Sequence, residues 1–106
     1  MLTKTQITKI KVDTLKSDDQ FLLMFEALGD QGRFRISRLL MEYHDLCVTD
    51  IANVFGITTS AASQQLKILE RVGLVRRIRM GQMVCYEIKE ENPVVKKLIQ
   101  FLRSSE

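Results

Sequence analysis

The sequence predicts a mainly α domain carrying one β-hairpin, the winged helix-turn-helix class, and three observations carry that prediction. First, Thr49 to Phe55 reads as a short helix stopped by Gly56, and a longer helix capped by Thr58 or Thr59 follows at once. Two helices joined by so short a turn containing glycine form a helix-turn-helix. Second, Leu74-Val75-Arg76-Arg77-Ile78-Arg79 and Val84-Cys85-Tyr86-Glu87-Ile88 are β-rich runs on either side of Met80-Gly81-Gln82-Met83, the pattern of a hairpin and hence of a wing. Third, the chain before and after this block carries helical rather than alternating apolar spacing.

The elements follow in order. Residues 5–15 place Ile7, Ile10 and Leu15 at helical spacing, and Ser17 with Asp18 and Asp19 reads as a cap ahead of a second helix through Phe21-Leu22-Leu23-Met24-Phe25, closed by Gly29. From Arg33 onward, Phe34, Ile36, Leu39, Leu40 and Tyr43 support a third helix, its apolar stripe fringed by Arg33, Arg35 and Arg38. The second helix of the helix-turn-helix runs to about Val72, with Ala62, Leu66, Leu69 and Val72 on its buried stripe and Gly73 at its end. Asn92-Pro93 is a cap with the favoured first-turn proline, and Val94, Val95, Leu98, Ile99, Phe101 and Leu102 then fill a wide arc of a last helix.

Residues 1–106 show no repeat, low-complexity tract or interdomain linker, so one domain is expected, with its first and last helices as a dimer interface. A chain of this length buries roughly two-thirds of its unfolded surface. With no targeting or membrane-spanning stretch in view, a cytoplasmic protein with no membrane partner is expected. An enzyme is not: there is one His, no glycine-rich phosphate loop and no nucleophile with a base beside it. No cofactor is expected either.

Function is read from the face that the buried stripe leaves free. Thr59, Ser60, Ser63, Gln64 and Lys67 lie there, a surface of hydroxyls and an amide with one cation. Gln can read adenine in a major groove, and Ser and Thr reach bases or phosphates. The formal charge of +3 is modest, but Arg71, Arg76, Arg77 and Arg79 concentrate it beside this helix. The candidate contacts to double-stranded DNA are therefore Thr58, Thr59, Ser60, Ser63, Gln64 and Lys67 on the helix and Arg76, Arg77, Arg79 and Gln82 on the wing. The competing readings are a merely solvated polar face, and a winged helix that binds protein instead. Salt-dependent duplex binding separates them from DNA recognition.

The block Leu46-Cys47-Val48-Thr49-Asp50-Ile51-Ala52, then Phe55 through Leu69, Gly73-Leu74-Val75 and Gly81 to Tyr86, resembles the ArsR/SmtB family of small dimeric winged-helix repressors. The likeness covers residues 20–90, including Ala27-Leu28-Gly29-Asp30 and Arg33 through Leu40. It implies a homodimer on a pseudo-palindromic operator, released when a metal, metalloid or oxidant is sensed. It also implies that Thr59 through Lys67 approach the bases while the wing tips touch the flanking backbone.

In that family the segment matching His44-Asp45-Leu46-Cys47-Val48-Thr49-Asp50 often carries two cysteines flanking Val, and here Thr49 stands at the second position. A soft ion needs two to four thiolates, which a hydroxyl cannot replace. The family's other sensing site, on the last helix, uses Asp, His and Glu, and residues 90–106 hold no His. No metal site is therefore expected, and the effector is open. The alternative to an effector-released repressor is a regulator that has lost sensing, or one that acts as an anti-repressor by displacing another protein. Cys47 and Cys85 keep two further readings. In the first, both are structural thiols, Cys47 a small buried apolar side chain. In the second they respond to oxidants, since Cys47 stands at a helix start that acidifies a thiol. Strand alternation sets Cys85 on the face opposite Val84, Tyr86 and Ile88, an exposed position in that reading, and nothing in the sequence joins the two sulfurs. A disulfide framework is not expected.

Overall fold

No Gly or Pro interrupts the chain from Lys4 to Leu28, and in the computed structural model, which describes residues 1–104, that whole stretch is one helix, α1 (Lys4–Leu28). Thr3 caps it, its hydroxyl oxygen accepting from the Gln6 N–H while the Gln6 side chain accepts from the Thr3 N–H. The break expected at Ser17 to Asp19 does not form, because Ser and Asp cost a helix interior only tenths of a kcal/mol, about 0.7 at most. The side chains of residues 11–18, and with them the contacts expected of Leu15 and the capping expected of Ser17 and Asp18, lie outside the described residues. Helix α1 ends before Gly29, as the sequence suggests.

Asp30 accepts from the Arg33 N–H and starts α2 (Gln31–Glu42). The helix begins two residues earlier than the apolar spacing implies, and Tyr43 lies beyond its end, 61% exposed. A two-residue strand, β1 (Leu46–Cys47), leads into α3 (Val48–Phe55), which Gly56 stops at φ 63°, a left-handed conformation suited to glycine. Thr58 then caps α4 (Thr59–Arg71) by accepting from the Ala61 N–H. After it come β2 (Val75–Met80), the turn at Gly81-Gln82, and β3 (Met83–Ile88). Asn92 accepts from the Val94 N–H and opens α5 (Pro93–Ser104).

The sheet order is β1-β3-β2, antiparallel throughout, so the second wing strand is central and not an outer arm. The sequence did not suggest β1, which is too short to show alternation. Met24, Ile36, Leu40, Ile51, Leu66, Leu69, Val75 and Leu98, fully buried, form the centre of a core to which helices and sheet all contribute. On α4 the stripe of Ala62, Leu66 and Leu69 is buried as expected, while Val72 is only half-buried. On α5 the buried residues are Val95, Leu98 and Leu102; Phe101 is turned outward, 53% exposed.

Arg33 does more than fringe a stripe. Its Nε donates to the Ala27 carbonyl at 2.7 Å and its guanidinium donates to Gln65 Oε1 at 3.1 Å, so one side chain ties the end of α1 to the middle of α4. Gly32 stands beside it, where a Cβ would come within 3.2 Å of Asp30 Oδ2 and 3.5 Å of Gln65 Nε2. Arg33→Met keeps the aliphatic stem and removes both bonds. It should lower stability by about 1.5–3 kcal/mol, the range for hydrogen bonds to a charged group, as read by urea unfolding. A change below the error of that measurement would show that α4 is held by its apolar face alone.

Candidate nucleic-acid interface

Capping by Thr58 and burial of Ala62, Leu66 and Leu69 fix the rotation of α4, and that rotation turns Thr59, Ser60, Gln64 and Lys67 to solvent, with Ser63 half-buried. Alternation along β2 puts Arg77 and Arg79 on one face of the wing and Arg76 on the other. Between α4 and the wing lies a groove of about 530 Å³. Its α4 wall is Thr59, Ser60, Ser63 and Lys67; its wing wall is Arg77, Gln82, Met83, Val84 and Tyr86; its floor is Cys47, Val48 and Thr49. Two cations, Lys67 and Arg77, thus face each other across hydroxyl and amide groups, an arrangement that suits a phosphate backbone lying between helix and wing.

Six of the ten sequence-chosen contacts line this groove: Thr59, Ser60, Ser63, Lys67, Arg77 and Gln82. Gln64 and Arg79 are exposed outside it, Gln64 on the outer face of α4 and Arg79 near the wing tip. The Thr58 hydroxyl oxygen is occupied as the cap acceptor, at 3.0 Å from the Ala61 nitrogen, which leaves its proton free to donate. Arg76 is placed differently: its guanidinium pairs with Glu87 at 3.2 Å and with Glu91, so its charge is shared with the wing and the β3–α5 connection. The reason is strand parity, which places it opposite Glu87 in the β2–β3 ladder.

Sequence reasoning missed Thr49 and Tyr86 as groove residues. Thr49, noted only as the residue where a second thiol would stand, forms part of the floor. Tyr86 is buried, and that burial, with the nearby Glu70 carboxylate, pushes its phenol above the usual value against the opposing pull of Arg77. Alternation along the strand hinted at Tyr86, and its pairing with Arg77 in the β2–β3 ladder puts the two on one face of the wing.

The thiols differ most from expectation. Cys47 is buried, as expected of a small apolar side chain, but it is joined to Cys85 by a disulfide. Cys85 is not exposed; it is 1% accessible, and Tyr86 on the opposite face is 2% accessible, so β3 is covered on both faces at this point. The two residues stand opposite each other in the β1–β3 ladder, 38 positions apart in sequence. Among the described residues there is no group of three or more His, Cys, Asp and Glu side chains placed to hold a metal ion. No helix among them is long and apolar enough to cross a membrane.

Residues 30–77 match the family described as "Bacterial regulatory protein, arsR family". Over 96 residues the chain is 31% identical to a cadmium resistance transcriptional regulatory protein CadC homolog of Staphylococcus aureus, covering 90% of this chain and 78% of that protein. Among solved structures it is similar to reduced HlyU from Vibrio cholerae, with a TM-score of 0.73 at 26% identity over 87% of this chain and 94% of the other. It is also similar to the homodimeric winged helix-turn-helix DNA-binding domain Mb0332 from Mycobacterium bovis, with a TM-score of 0.70 at 29% identity over 86% and 84% of the two chains.

Proposed function

The chain belongs to the ArsR/SmtB family of winged helix-turn-helix transcription regulators, and from that premise we propose that it is a cytoplasmic repressor whose homodimer binds a pseudo-palindromic operator. The family is one of DNA-binding regulators and not of enzymes. The observation that carries the reading is the groove between α4 and the wing, where Lys67 and Arg77 flank the hydroxyls of Thr59, Ser60 and Ser63. In this reading a phosphate run lies in the groove, the exposed Gln64 edge of α4 enters the major groove, and Arg79 reaches the adjoining backbone.

Homodimerisation rests on the apolar surface of the outer helices. Leu22 and Leu23 on α1 and Phe101 on α5 are each more than half exposed, and the Phe25 and Phe101 rings meet edge-on with centroids 5.7 Å apart, joining the two helices into one patch. The radius of gyration is 16.5 Å, against about 13 Å for a compact chain of this size, because α1 projects from the core. A projecting helix with an apolar side suits a two-fold partner, and a two-fold axis would set two α4 helices at about 34–36 Å for successive major grooves.

Measurement of affinity on a selected operator and on random duplex, across salt, tests the assignment. Gln64→Ala should cost about 1–3 kcal/mol on the operator and much less on random DNA. Equal losses would move Gln64 from the bases to the backbone. Arg77→Ala and Arg79→Ala should weaken binding to both and reduce the salt slope by about one for each phosphate that is no longer neutralised. An unchanged slope would remove that arginine from the interface, and no salt-dependent binding at all would favour a protein-binding winged helix.

A further inference from the structure

We propose that Cys47 and Cys85 are a reversible dithiol–disulfide switch within one subunit, and that the disulfide form is the tighter DNA binder. The proposal rests on the DNA-binding reading above and adds to it a modification site and a chemical class of effector, a peroxide. Three observations lead to it. The residues are directly opposed in the β1–β3 ladder and already bonded. Strand β1 has only Leu46 and Cys47, so its ladder is short and the S–S bond is the one covalent tie between the start of α3 and the central strand of the wing. And Cys47 is 7% accessible and is among the residues that line the groove between α4 and the wing, whereas Cys85 is 1% accessible and is not.

That difference assigns the order of reaction. The Cys47 thiolate, at the groove and at the head of α3, attacks one peroxide oxygen; the O–O bond breaks, the alcohol or water leaves with a proton, and Cys47 becomes a sulfenic acid. Cys85 sulfur then attacks Cys47 sulfur, the S–O bond breaks, and hydroxide departs as water with the Cys85 proton. In sum, two thiols and one peroxide give a disulfide, an alcohol or water, and a water: the sulfurs lose two electrons and the peroxide gains them. A dithiol reductant supplies two electrons and two protons for the reverse and is itself left as a disulfide.

The effect on DNA follows from packing. Two thiols need more room than the disulfide they form, and both sulfurs sit in a close-packed interior. Reduction therefore moves β1 off β3, and with β1 goes α3, whose N-terminal residue follows Cys47 directly and whose backbone is tied there through the bond from the Cys47 N–H to Asp50 at 2.9 Å. Helix α4 packs on α3, so the spacing of α4 from the wing changes too. The disulfide form holds both walls of the groove in one geometry before DNA arrives, and the reduced form must order them on binding.

The test uses the full chain and a duplex selected from a random pool by an equal mixture of the two redox forms. Hydrogen peroxide should convert both thiols to a disulfide without linking subunits on a non-reducing gel, and dithiothreitol should restore them, as read by thiol titration and by the mass of two hydrogen atoms. The oxidised form should bind the duplex at least about fivefold more tightly. By linkage, saturating duplex should shift the thiol–disulfide equilibrium toward the disulfide by the same factor. Cys47→Ala with Cys85→Ala should ignore peroxide; the wild-type comparison stands even if that variant folds poorly. Equal affinities, tighter binding by the reduced form, thiols untouched by peroxide, or a link between subunits would each overturn the switch. Failure of both forms to enrich any duplex would instead overturn the DNA-binding reading, and the switch with it.

Discussion

Phe101→Glu is expected to turn a dimer into a monomer and to weaken binding to a two-half-site duplex by about a hundredfold or more. Phe101 is 53% exposed in the single chain, so a carboxylate there meets water in the monomer but would be stranded in an apolar contact in the dimer. The loss on DNA is large because each α4 would then bind its half-site alone, without the local concentration of about 10²–10⁴-fold that a linked second site supplies. Sedimentation and operator titration read the two effects, and thermal unfolding at low concentration checks that the monomer stays folded. A variant that remains dimeric would place the two-fold contact away from the Phe25–Phe101 patch.

Leu66→Ala should lower stability by about 2–5 kcal/mol, a large share of the about 5–15 kcal/mol that holds a typical domain together. Leu66 is 0% exposed and stands at the centre of α4, which packs on α2, α3 and β2 at once, so the cavity has no side from which to collapse. Chemical denaturation measures the loss. A cost under about 1 kcal/mol would mean that the helix can shift inward to fill the space, and operator affinity would then fall with it.

The helix-turn-helix was legible because its signals are local: Gly56 ends one helix, Thr58 starts the next, and Ala62, Leu66 and Leu69 repeat at helical spacing. The hairpin was equally plain, since Gly81-Gln82 is a two-residue turn with Gly81 at φ 64°. What failed depends on distant neighbours. A continuous α1 was misread as two helices because Ser17, Asp18 and Asp19 look like a start, yet no Gly or Pro enforces an end. Arg76 and Arg77 are adjacent in sequence and opposite in fate, one paired with Glu87 and Glu91, the other in the groove. Six groove residues could be named, five from helix and strand periodicity and Gln82 from the hairpin turn. The Cys47–Cys85 bond could not, because it needs a two-residue strand that carries no pattern of its own.

The central position of β3 also bears on what can be altered without harm. At Cys85 and Tyr86 the strand is paired with β1 on one side and β2 on the other, so the amide hydrogens there should exchange slowly, close to the rate set by global opening. The tip at Met80 to Met83 lies beyond the reach of β1, and all four of its residues are exposed. Lengthening the hairpin there by paired insertions would extend its reach along DNA while leaving core and register intact, whereas a single residue inserted into β3 would reverse the facing of every side chain beyond it. The wing is thus a graftable tip on a rigid stem.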